Sequence, residues 1–202
     1  MCVLFTVAPC DNIADIGFMV DSSGSLRRSF GKEKDFVKIL ADGFGISRDG
    51  SRAGIVTFSY DAVLTAKLSD HNDMKDFRAS VAKIPYMGYT TRIDKALKVA
   101  RDELFVKSNG ARAGVPKILF ILTDGSQTKD KDAVNPAGIA AELREKLGVV
   151  TFVIGIGRNV VPGELNEIAG GIPSTMFLAK DFNELLSSVF VAGLSKAYCQ
   201  KG

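Results

Sequence analysis

The sequence predicts an α/β domain built on a doubly wound, mostly parallel sheet, with one antiparallel edge strand and helices on both faces. Three observations predict it. Short apolar runs alternate with amphipathic helical patterns along the whole chain. The inner runs, residues 118–122 and 149–156, are apolar almost throughout, as strands covered on both faces must be. One short alternating run, residues 62–68, follows a strand directly after Tyr60-Asp61, as a hairpin partner at a sheet edge does.

The elements follow in order. Residues 14–20 read as a strand. Residues 29–44 read as an amphipathic helix carrying Phe30, Phe36, Val37, Ile39, Leu40 and Phe44. Residues 51–59 form the next strand, with 62–68 as its antiparallel partner. A helix over 73–84 has Asp73 placed as its cap. Another over 91–106 lines up Ile93, Ala96, Leu97, Ala100 and Leu104 on one face. Residues 117–123 are a central strand. Residues 136–147 are a helix opened by Pro136, where the missing N–H costs nothing. A strand at 149–155, a short helix at 163–169, a strand at 175–179 and a closing helix at 181–197 complete the pattern. In such sheets ligands bind beyond the carboxyl ends of the strands.

Hydrophobic residues make up 46% of the 202, enough to bury one sizeable core. The net charge of +3 comes from basic residues that mostly neighbour acidic ones, as at 32–35, which describes a mixed-charge surface and no nucleic-acid partner. No apolar run approaches the ~20 residues that span a bilayer, so no membrane insertion is expected in this segment. Residues 1–11 read as a linker or signal remnant, 12–198 as the domain and 199–202 as a tail. The cysteines, Cys2, Cys10 and Cys199, lack metal-finger spacing. Cys10 and Cys199 bracket the domain; a disulfide closing it and three free thiols are both open readings. The single histidine, His71, lies in a polar run and is expected at the surface, as are local ion pairs of Arg92 and Asp94. Gly155-Ile156-Gly157 lacks the third glycine of a dinucleotide fingerprint and reads as a turn.

Chemistry concentrates in three segments. Asp21-Ser22-Ser23-Gly24-Ser25 follows the first strand, Thr90-Thr91 opens a helix, and Thr123-Asp124-Gly125 follows the central strand. Carboxylates and hydroxyls are hard oxygen donors suited to Mg²⁺, Mn²⁺ or Ca²⁺. With no cysteine nearby and one distant histidine, zinc is disfavoured. A metal ringed mainly by neutral hydroxyls keeps much of its charge and attracts a carboxylate from outside. No Ser-His-Asp triad can be assembled, so no catalytic residue is assigned. A Mg²⁺-dependent hydrolase would want a second acid where Ser23 stands. A structural matrix domain that associates without its metal is the other alternative.

These segments resemble the von Willebrand factor type A domain, whose metal-ion-dependent adhesion site is Asp-x-Ser-x-Ser, a Thr in a second loop and an Asp in a third. Asp21, Ser23 and Ser25 match the first element, Thr91 the second, with Thr90 as its competitor, and Asp124 the third. The resemblance spans residues 12–195. It implies metal ligation by these five residues and an octahedral shell completed by a partner's Glu or Asp, as Mg²⁺ requires. It further implies a ligand rim that includes Tyr89, Thr90 and Ser126, and a Cys10–Cys199 disulfide. The partner implied is an extracellular-matrix or cell-surface protein. The setting implied is secreted, as part of a larger multidomain protein.

Overall fold

A computed structural model describes residues 13–199. Strands β1 (Asp15–Asp21), β2 (Arg52–Phe58), β3 (Ala62–Ala66), β4 (Lys117–Thr123), β5 (Val149–Ile156) and β6 (Met176–Ala179) form one sheet in the order β3-β2-β1-β4-β5-β6. All pairings are parallel except β2–β3, which is antiparallel and bulged between Ile55 and Val56. The expected fold class is the observed one. From β1 the chain builds outward to β2 and β3, then returns to lay β4, β5 and β6 on the other side. The crevice between the carboxyl ends of β1 and β4 is therefore the topological switch point.

Side chains alternate across the sheet and split the core in two. Ile16, Phe18, Val20, Phe120, Leu122 and Phe152 face helices α1 (Phe30–Asp42), α2 (Met74–Ala82), α6 (Phe182–Leu185) and α7 (Ser188–Cys199). Met19, Val56, Leu119, Ile121 and Val153 face α3 (Ile93–Val99), α4 (Pro136–Leu147) and α5 (Pro162–Ile168). Phe18, Phe120 and Phe152 are register partners on three adjacent strands, stacked at 5.5 and 5.4 Å between centroids. Tyr198 of α7 closes this row, edge-on to Phe120 and stacked on Phe44 at 4.5 Å. Gly17 leaves room on the opposite face, because a Cβ there would lie 2.7 Å from Leu104.

Two helices differ from expectation. The one expected over 91–106 begins only at Ile93, because the backbones of Thr91 and Arg92 are tied to Thr128 and Ser59. It then closes through a π turn, Ala100–Leu104. The closing helix is interrupted at Leu186-Ser187. There the Ser187 hydroxyl accepts the Phe190 N–H and starts a fresh helix, a side-chain bond that competes with helix continuation. Gly157 takes a left-handed turn at φ +83° after β5, in keeping with a turn rather than a nucleotide loop. Among the described residues no helix is long and apolar enough to cross a membrane. Cys199 lies half-buried at the end of α7, and its expected partner Cys10 lies outside the described residues, as does Cys2.

Candidate metal centre at the switch point

β1 delivers Asp21 and β4 delivers Thr123 and Asp124 to the same edge. One oxygen of the Asp21 carboxylate accepts the Ser23 N–H at 2.8 Å, which curls the chain back after the strand. The other accepts the Thr123 hydroxyl at 2.7 Å, joining the two strand ends. The Ser23 and Ser25 hydroxyls lie 3.2 Å apart, and Ser25 donates to Asp124 at 2.7 Å. Asp21, Ser23, Ser25 and Asp124 are thus one hydrogen-bonded cluster.

Thr91 approaches from the second loop: its hydroxyl oxygen lies 3.3 Å from where a Cβ on Gly125 would stand. Thr91 is largely buried and Thr90 is exposed, so Thr91 is the threonine turned inward. Paired backbone bonds lace the second loop to the first, Gly24 N–H to Tyr89 O at 2.7 Å and Gly88 N–H to Ser22 O at 2.8 Å. Ser59, at the end of β2, accepts the Tyr89 N–H, donates to Thr90 O, and accepts the Arg92 N–H on its carbonyl. Of the expected rim residues, Tyr89 is 70% exposed, Thr90 is exposed and Ser126 is half-buried.

The electrostatics of the cluster are unbalanced. Burial pushes the Asp21 carboxyl up to about 6, against the hydrogen bonds from Thr123 and Ser23, and the charge of Asp124 adds to the rise. Burial also raises Asp124. Behind them stands Glu33 of α1, fully buried. One oxygen accepts the Asp21 N–H at 3.0 Å, while the other has no hydrogen-bond partner. Burial, then the charges of Asp21 and Asp124, hold its carboxyl well above the usual range. No lysine, arginine or histidine pairs with any of the three acids among the described residues. A divalent cation fits this cluster, since it supplies the charge that three buried carboxyls lack. Among the described residues no three His, Cys, Asp or Glu side chains gather as metal ligands, so the hydroxyls are needed to complete a donor set.

A second charged cluster lies beside the first, where exposed ion pairs were expected. Arg92 is fully buried and makes a two-pronged contact with buried Asp94, both bonds at 2.9 Å. It also reaches Asp130 and Asp132 in the loop after β4. Burial pushes the Asp94 carboxyl up, but the hydrogen bonds from Arg92, the Val134 N–H and Gln127 outweigh it and hold it at about 2. His71 is likewise buried, not at the surface. Its ring nitrogens bond Ala53 O and the Ser80 hydroxyl, and it meets Phe77 edge-on.

Sequence reasoning missed Glu33, Ser59 and Gln127, and it placed Thr123 in the third segment without its bond to Asp21. Glu33 had a signal: it stands three residues after Phe30 and four before Val37, a core-facing slot of the helix. Ser59 and Gln127 act through partners far along the chain and had none.

The family model for the von Willebrand factor type A domain matches residues 15–190. Matrilin-1 of Gallus gallus is 32% identical over 173 residues, covering 85% of this chain and 34% of that protein. The collagen alpha-6(VI) chain of Mus musculus is 34% identical over 177 residues, covering 87% of this chain and 7% of that one. The chain thus spans about a third of matrilin-1 or less of these relatives. Among solved structures, proximal thread matrix protein 1 from the mussel byssus aligns at a TM-score of 0.86 and 28% identity, over 95% of this chain and 48% of that one. A second structure of that protein, at a TM-score of 0.83 and 29% identity over 96% of this chain and 47% of that one, has its metal-ion-dependent adhesion motif occupied by zinc. That neighbour's motif thus accepts zinc, a metal that donor hardness alone disfavours.

Proposed function

The chain belongs to the von Willebrand factor type A domain family, and from that premise we propose that it is a metal-dependent adhesion module rather than an enzyme. The family relatives are extracellular-matrix proteins, and the matrix is its setting. In this reading Asp21, Ser23, Ser25, Thr91 and Asp124 hold one divalent cation. Mg²⁺ is the first choice, with Mn²⁺, Ca²⁺ and Zn²⁺ as competitors. A Glu or Asp of a matrix or cell-surface protein completes the shell, steered by a rim of Tyr89, Thr90 and Ser126.

The observation that carries the proposal is the cluster of buried carboxyls, with no basic side chain paired to them among the described residues, joined by hydroxyls at the switch point. The metal supplies positive charge to an incoming carboxylate. The protein's own residues orient it: Thr123 and the Ser23 N–H fix the Asp21 carboxylate, and Asp124 fixes the Ser25 hydroxyl. A Ser-His-Asp hydrolytic reading lacks its histidine, since His71 is bonded to Ala53, near the amino end of β2. We further propose that Cys10 and Cys199 close the domain, which peptide mapping without reductant reads directly.

Calorimetric titration of each metal into chelator-stripped protein tests the site. One saturable event per chain, absent in Asp21→Ala, is expected. Adhesion is read on immobilised matrix protein, where binding should vanish with chelator or after the matrix carboxyls are amidated. Matrix binding indifferent to both treatments would move the function to metal-independent association.

A further inference from the structure

The Asp-x-Ser-x-Ser, Thr and Asp set does not by itself fix the second loop against the third. Two residues outside that set do. Three positions after Asp124 the third loop is pinned in two directions. The Gln127 side chain is buried against the first turn of α3. Its Oε1 accepts the Asp94 N–H at 3.0 Å, and its Nε2 donates to Asp94 Oδ1 at 2.8 Å and to Thr128 O at 3.1 Å. Its main-chain N–H donates to Glu164 Oε1 of α5 at 2.8 Å. Thr128 then brackets Thr91. Its N–H donates to Thr91 O at 2.8 Å, and its hydroxyl accepts the Thr91 N–H at 3.1 Å. Both main-chain groups of Thr91 are thus bonded to one residue of the third loop. Closing that loop onto the start of α3 does not require this, since Arg92 already holds Asp130 and Asp132. Gln127 and Thr128 lie between that tie and Asp124.

Mg²⁺ demands a near-ideal octahedral shell of close oxygens, whereas Ca²⁺ accepts more oxygens, farther away, in a flexible shell. A centre discriminates between the two by how little its ligands yield. Ligands yield little when the residues behind them are themselves locked by hydrogen bonds. Resting on the reading that Thr91 and Asp124 hold one cation, we propose that Gln127 and Thr128 are positioning residues that set the choice of cation. By fixing the Thr91 loop against the Asp124 loop they favour Mg²⁺ and penalise Ca²⁺, which would have to push the two loops apart. Neither residue is a ligand. Gln127 acts through the third loop, which it anchors on α3 and α5, and Thr128 acts through the main chain of Thr91.

The test titrates Mg²⁺ and, separately, Ca²⁺ into the chelator-stripped full chain by calorimetry, below the melting temperature of every variant compared. The readout is the ratio of the two affinities. Thr128→Val keeps the shape and removes the acceptor of the Thr91 N–H. Gln127→Met keeps the length and removes every side-chain bond. Each should narrow the preference for Mg²⁺ by roughly 10-fold, chiefly through weaker Mg²⁺ binding. Thr128→Ser retains the hydroxyl and should keep the unaltered ratio. A merely structural role would lower the melting temperature, or both affinities together, and leave the ratio where it was. An unchanged ratio in Thr128→Val and Gln127→Met overturns the proposal and leaves the metal site standing. So does a ratio in Thr128→Ser as narrow as in Thr128→Val, or Ca²⁺ bound as tightly as Mg²⁺ by the unaltered protein. If Gln127→Met does not fold, the two Thr128 variants decide. Failure of the unaltered protein to bind either cation overturns the metal-site reading, and this inference with it.

Discussion

Two charged clusters sit side by side at the carboxyl edge of the sheet, separated in sequence only by the step from Thr91 to Arg92. In the Arg92 cluster the buried charge is answered within the protein, and Asp94 is held down at about 2. In the Asp21 cluster no basic side chain among the described residues pairs with Asp21, Glu33 or Asp124, and Asp21 is pushed up to about 6. Both are buried, polar and hydrogen-bonded. Only the first is complete. The difference separates scaffold from site: a self-neutralised network holds loops in place, and an unbalanced one has room for a ligand's charge.

The sharpest way to break the comparison is to unbalance the complete cluster. Arg92→Met should cost about 3–5 kcal/mol, because it leaves Asp94 buried without its partner. Denaturant unfolding measures the loss, and adding Asp94→Leu should return part of it. A cost below 1 kcal/mol would mean that Asp130 and Asp132 hold the loop without help.

The pH response should split the clusters next. The folded-state value of Asp21, about 6, lies above its unfolded value of 3.8, so the native state holds that proton more tightly. Its favourable contribution is full below pH 4 and is lost as pH rises through 6, at about 3 kcal/mol. Asp94 runs the other way: its contribution is present above pH 4 and is lost as pH falls towards 2. Metal-free protein should therefore be most stable between about pH 4 and 5. Saturating Mn²⁺ should flatten the alkaline limb by replacing the proton. A limb unchanged by metal would separate the carboxyls from any cation site.

A smaller effect is expected at Glu33. Glu33→Gln keeps an acceptor for the Asp21 N–H and removes a carboxyl. Metal-free protein at pH 7 should gain on the order of 1 kcal/mol, while affinity for Mn²⁺ should fall several-fold. Lower stability with unaltered metal affinity would reduce Glu33 to a space-filling role. The mildest probe is Gly125→Ala, whose added methyl presses on the Thr91 hydroxyl. It should cost under about 1 kcal/mol in folding and weaken metal binding a few-fold, both read in one titration series.

Periodicity and unbroken apolar runs carried the fold, because every helix had to bury one face and the inner strands both, and the run-and-turn grammar of the chain says where. The Asp-x-Ser-x-Ser loop was legible because its donors are neighbours in sequence. What escaped was burial of charge. Arg92 and Asp94 look like surface residues until Asp130 and Asp132, some forty positions on, fold back over them. Glu33 sits between Lys32 and Lys34, and its company disguised the core-facing slot that Phe30 and Val37 define. His71 was hidden the same way by its polar neighbours, since Ala53 and Ser80 satisfy its ring from elsewhere. The break before α7 rests on one serine hydroxyl, a choice that helix propensity alone does not decide.

The sheet's two margins carry a consequence for life at high concentration. One margin is a five-residue strand beside a bulge, the other a four-residue strand. Neither offers the long, flat ladder that a neighbouring copy needs for strand addition. Molecules of this shape can be crowded into a fibre or gel without fusing sheet to sheet, which leaves their association to side-chain contacts that sequence can tune.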